Sequence, residues 1–133
     1  MTKKIWPILL LAAVSSSAAA EWVEIASNQD FTAYVDPVSI RKTGDRVKMW
    51  ELIDLKAVKV SAAGKDYRSS KTQSEYDCKA GQWRFFFFSD HSGHMGEGEV
   101  VYRDADPCTW GPVVLGTISE ALWRFACGVV VAG

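Results

Sequence analysis

Apolar and polar positions alternate along most of this chain, and turn-forming residues cut the alternation at short intervals. Trp22 to Ile25 is apolar enough to open a first strand, which Ser27-Asn28-Gln29-Asp30 closes. Phe31, Ala33 and Val35 then alternate with Thr32, Tyr34 and Asp36, the period of two expected of a strand with one buried face. Asp36-Pro37 is expected to end that strand, because proline has no N–H to give to a ladder; Val38 to Arg41 reads as a brief extended piece. Lys42-Thr43-Gly44-Asp45 turns into Arg46 to Leu55, where Val47, Met49, Trp50, Leu52 and Ile53 mark a well-buried strand. Ser61 to Asp66 is the least structured stretch. Tyr67 to Cys78 reads as a long polar strand with one face toward water. The turn Lys79-Ala80-Gly81-Gln82 leads from it into Trp83 to Ser89. Asp90 to Gly98 is a glycine-punctuated loop, Glu99 to Arg103 returns as a strand, and Asp104 to Pro112 is irregular.

The run Phe85-Phe86-Phe87-Phe88 is the sharpest feature. On a regular strand Phe85 and Phe87 point to one face and Phe86 and Phe88 to the other. Burying each phenylalanine gains roughly 1.5–3 kcal/mol, so both faces of this strand should leave water. One pair belongs under a helix. The other, Phe86 and Phe88, needs neighbouring strands, a dimer partner or a ligand, and is the candidate partner surface. The helix is expected from Thr117, whose pairing with Glu120 is a capping-box pattern. Ile118, Ala121, Leu122, Phe125 and Ala126 share a face at helical spacing, and Gly128 supplies the stop. These elements add up to an α+β fold: an antiparallel sheet of about six strands with a C-terminal helix packed on one face.

The first twenty residues add a compartment. Lys3 and Lys4, an apolar run from Ile5 to Val14, and small residues ending Ala18-Ala19-Ala20 have the order of a signal peptide. The apolar run is about half the roughly 20 residues a membrane span needs. Cleavage is expected after Ala20, leaving residues 21–133 as a single domain, periplasmic or secreted. With no cysteine near that point, no lipid anchor is expected, and no later segment reads as a membrane span. Losing Lys3 and Lys4 takes 15 basic residues to 13 against 16 acidic, a net charge of −3. That balance gives no general attraction to nucleic acid or anionic membranes.

Three cysteines, Cys78, Cys108 and Cys127, allow three single pairings in an oxidising compartment. Context favours Cys78 with Cys127, since both sit in strongly patterned elements while Cys108 lies in a proline-flanked loop. Cys108 is then either a half-buried thiol or an intermolecular bridge. No nucleophile–base motif is visible, so no enzyme is expected. His91, His94 and Met95 gather two imidazoles and a thioether within five residues, a weak candidate for copper or haem iron in what otherwise reads as a polar loop. Asp104 and Asp106 read as a solvated turn, and Arg41-Lys42 with Arg46 as a small basic surface patch around a hairpin.

Taken together, "WVEIASNQDFTAYVDPVSIRKTGDRVKMW", "SSKTQSEYDC", "GHMGEGEVVY" and "ALWRFACG", in this order, resemble the surface-adhesin protein E-like family. The similarity covers Trp22 to Gly128. It implies a six-stranded antiparallel sheet with the C-terminal helix tied back by a disulfide, the family's two cysteines corresponding to Cys78 and Cys127 and Cys108 being an addition. It also implies a surface protein that forms homodimers, contacts host matrix and serum proteins, and takes haem; the nearest region for such contacts is the hairpin Lys79 to Tyr102. The resulting expectation is a non-enzymatic exported binding protein with protein partners and no resident cofactor. The alternatives are a periplasmic haem or copper protein using His91, His94 and Met95, and a structural periplasmic protein without ligand.

Overall fold

The computed structural model describes residues 21–128; the expected leader over residues 1–20 lies outside them. Seven strands and one helix follow each other: β1 (Val23–Ser27), β2 (Phe31–Thr43), β3 (Arg46–Val60), β4 (Asp66–Asp77), β5 (Gln82–His91), β6 (Val100–Asp104), β7 (Gly111–Pro112) and α1 (Ile118–Cys127). β1 to β6 pair in chain order, each antiparallel to the next. The short β7 pairs with the start of β5, on the edge that β6 holds at the other end. This is the expected six-stranded antiparallel sheet with a C-terminal helix. The Cys78–Cys127 disulfide joins residues 49 apart in sequence, with Cα atoms 5.6 Å apart.

The helix lies across the inner face of the sheet, against β1 to β4. Its buried stripe is Leu122 and Ala126, flanked by half-buried Ile118 and Phe125. Beneath it Ala33, Val35, Val47, Met49 and Tyr76 are fully shielded, each supplied by every second residue of its strand. Gly128 closes the helix in the left-handed region (φ 64°), its N–H donating to Arg124 O. The capping box does not form. Thr117 donates its hydroxyl to Val114 O at 2.7 Å, and Glu120 Oε1 instead accepts the N–H of Gly116 at 3.0 Å.

Bulges account for the other departures from expectation. β2 does not stop at Pro37, because Asp36 pairs with Trp50 and Arg41 with Lys48, which leaves the intervening residues out of register. Pro37 therefore sits where no ladder N–H is needed. Ser39 repairs the gap: its hydroxyl donates to Asp36 O at 2.6 Å and accepts the N–H of Trp50 at 2.9 Å. A second irregularity, between Asp54 and Lys59, lets β3 run on to Val60. β5 extends beyond Ser89, so Asp90 and His91 belong to a strand and not to the loop.

The third bulge changes the phenylalanine run. Gln73 pairs with Phe87 and Ser74 with Phe85, so Phe86 is the extra residue. Phe85 and Phe88 consequently share the inner face, with ring centroids 5.7 Å apart. Phe86 and Phe87 share the outer one, stacked beneath Lys48 and edge-on to Trp50 respectively. The expected grouping of Phe86 with Phe88 is thus corrected: one inserted residue breaks the alternation of two.

Candidate functional site

Because α1 stops short of β5 and β6, the inner face stays open at that end. Phe88 from β5 stands between Phe85 and Tyr102, the latter contributed by β6 at a centroid distance of 5.8 Å. Together with Phe31, Leu55 and Tyr67 these side chains line a cleft of about 430 Å³. Phe85, Phe88 and Tyr102 are all half-buried, so their rings still face the opening. At the floor lies Asp90, whose Oδ1 accepts the Ser70 hydroxyl at 2.5 Å. Burial pushes its carboxyl above the ordinary range, against the opposing pull of the Ser70 hydrogen bond and nearby His91.

A second hollow of about 260 Å³ continues under the first turn of the helix, sharing Phe31, Ile53, Thr72 and Phe85 with the cleft. It ends at Glu51, a fully buried carboxyl held by the hydroxyls of Ser74 (2.8 Å) and Tyr76. Burial pushes Glu51 up to about 7, although both hydrogen bonds pull the other way. Tyr76, buried beside this carboxylate, is driven well above its usual range and keeps its proton to donate. A largely apolar cleft and adjoining hollow, with two carboxyls whose hold on a proton burial strengthens, favour apolar side chains and hydrogen-bonding groups over bare charge.

The outer face has its own cover, supplied by residues that the sequence placed in a loop. A 3₁₀ turn, His94–Gly96, folds back over β3 and β4. Asp54 Oδ1 accepts the N–H of Met95 at 2.8 Å and lies 3.1 Å from His94 Nδ1. Ser69 receives the N–H of Gly96 at 2.8 Å and donates to Gly93 O at 2.6 Å. Gly96 is at φ 73°, and a Cβ there would meet Lys71 Cε at 2.5 Å. Leu52 is completely buried beneath this flap.

The histidines separate in this arrangement. His91 is buried at the end of β5 with Nε2 2.7 Å from the Ser89 hydroxyl, and burial lowers its affinity for a proton. His94 is exposed beside Asp54, and Met95 occupies the left-handed region at φ 56°. Among the described residues no three His, Cys, Asp or Glu side chains gather as a metal site. Cys108 is half-buried and exchanges two bonds with Phe85, its N–H donating to Phe85 O (3.1 Å) and its Sγ accepting the N–H of Phe85 (3.3 Å). Asp104 and Asp106 form the expected turn, with Asp106 N–H donating to Asp104 Oδ1. Sequence reasoning did not single out Tyr67, Asp90 and Tyr102 as cleft residues, nor Glu51 at the end of the second hollow. The advance signals were the Phe85–Phe88 run and, through the family resemblance, the hairpin Lys79 to Tyr102.

The family model described as surface-adhesin protein E matches residues 22–128. This chain belongs to the surface-adhesin protein E family. None of the curated proteins matches it. Among solved structures it is similar to Haemophilus influenzae protein E at 16% identity, with a TM-score of 0.60 over 80% of this chain and 83% of that one. A second crystal form of the same protein gives 16% identity and a TM-score of 0.62 over 80% and 87%. Among the described residues no helix is long and apolar enough to cross a membrane.

Proposed function

We propose that this member of the surface-adhesin protein E family is a non-enzymatic binding protein, exported behind its leader to the periplasm or medium. It takes an apolar segment of a protein partner into the inner-face cleft. The observation that supports this is the open aromatic wall formed by Phe85, Phe88 and Tyr102, which the helix leaves uncovered. Clustered aromatic side chains lining a hollow are the usual anchors of protein recognition, because they combine large apolar area with little rotamer freedom to lose. Host matrix and serum proteins are the partner class, by likeness to the family.

The test is surface plasmon resonance of the exported chain, with Glu21 as its N-terminus, against a panel of matrix and serum proteins. Wild type is expected to bind at least one saturably. Phe88→Ser is expected to weaken that binding by about tenfold or more, as truncating a central aromatic anchor does. Phe87→Ser, on the opposite face and edge-on to Trp50, should leave it unchanged. Should Phe88→Ser keep both its fold and every contact, the cleft is not the docking surface.

A further inference from the structure

Away from the cleft, a group of cations stands on the outer face near the turn joining β2 to β3. Arg41 and Lys48 stand opposite each other in register, and Lys48 is followed across the sheet by Glu75 and then Arg84. Glu75 accepts from Arg84 Nε and Nη2, both at 3.0 Å, so those two charges cancel. The remaining three cations are held by groups that carry no charge. Arg41 Nη1 donates to the carbonyls of Val38 and Ile40, both at 2.9 Å. The Arg46 guanidinium lies 5.2 Å from the centre of the Trp110 ring, and Lys48 Nζ lies 4.3 Å from that of Phe86. None of the three pairs with a carboxylate among the described residues. Between them opens a hollow of about 360 Å³, lined by Arg41, Thr43, Arg46 and Lys48 and also by Glu75, whose carboxylate is engaged by Arg84.

Ring faces and carbonyls fix these cations in place while leaving their charge uncompensated. Such a site is prepared for an anion at little ordering cost. We infer that the Arg41–Arg46–Lys48 hollow binds an acidic, carboxylate-bearing peptide segment of a protein partner. Guanidinium forks match carboxylates in shape as well as charge. A long anionic polysaccharide fits less well, because the faces of Phe86 and Trp110 are already occupied by cations and cannot stack sugars: Arg84 covers both rings as well, at 4.6 and 4.5 Å. The inference rests on the reading of this chain as a protein-binding module, but it uses the opposite face.

Fluorescence anisotropy with a labelled deca-glutamate peptide tests it, using deca-lysine and heparin as the other arms. The intact chain is expected to bind deca-glutamate saturably and deca-lysine not at all. Arg46→Gln/Lys48→Gln should weaken that binding by about tenfold, as should Arg41→Gln with Lys48→Gln, while melting unchanged. Raising salt from about 0.05 to about 0.5 M should abolish it, and Phe88→Ser should have no effect. Absent deca-glutamate binding, unchanged binding by both double variants, or capture of heparin alone would each overturn the inference. If deca-glutamate fails while matrix or serum proteins still bind through Phe88, only the acidic segment is lost. If deca-glutamate binds but Phe88→Ser changes nothing for the proteins, it is the cleft reading that falls.

Discussion

Glu51 shows how much a single buried carboxyl can decide. Its proton is held more tightly in the folded chain, where burial raises it to about 7, than in the unfolded one, where 4.5 is ordinary. The associated stability is therefore complete below about pH 4.5 and fades as pH rises through about 7, at about 1.4 kcal/mol per pH unit in between. Glu51→Gln keeps an acceptor for the Ser74 hydroxyl but has nothing to titrate. Thermal melts from pH 4.5 to 8 are expected to show this slope in the wild type and not in the variant, which should be the more stable of the two at pH 8. Equal slopes would refute the assignment. No feature of a lone sequence marks Glu51 as buried, because its partners Ser74 and Tyr76 lie 23 and 25 residues away and only strand register brings them together. Phe86 is a similar case. The aromatic run was plain in the sequence, but the bulge that splits it is set by pairing with Gln73 and Ser74.

At the scale of elements, strand identity was legible and strand ends were not. Alternation marks which residues can share a face, whereas bulges decide how far pairing continues, and Ser39 allows β2 to pass Pro37 by standing in for a backbone carbonyl. The flap over the outer face was the element read least well. Its glycines signalled a loop, but its anchoring to Asp54 and Ser69 depends on residues roughly 25 to 40 positions earlier in the chain. A side chain at Gly96 would be strained at φ 73° and would have to push the flexible end of Lys71 aside. Gly96→Ala is expected to cost about 1–2 kcal/mol in urea unfolding and to uncover Leu52. Hydrogen exchange at Met95 and Gly96, whose N–H groups are bonded to Asp54 and Ser69, should accelerate in the same variant.

For the molecule as a whole, the class could be read because neighbours in sequence are neighbours in the sheet. The open end of the inner face could not, since it depends on where the helix lies rather than on what it is made of. The bridge between Cys78 and Cys127 adds to the global stability by restricting the unfolded chain. By the loop-entropy relation, opening a loop of this length costs about 4 kcal/mol. Urea midpoints with and without reductant, and for Cys78→Ser/Cys127→Ser, are expected to fall accordingly; an unchanged midpoint would mean that packing alone holds the helix. The placement of that bridge also orders events in time. Each hairpin of the meander can zip as soon as its second strand emerges, because its contacts are local. The latch, in contrast, cannot shut until residue 127 has been synthesised, so the helix is fastened last, onto a sheet whose hairpins have already had time to form.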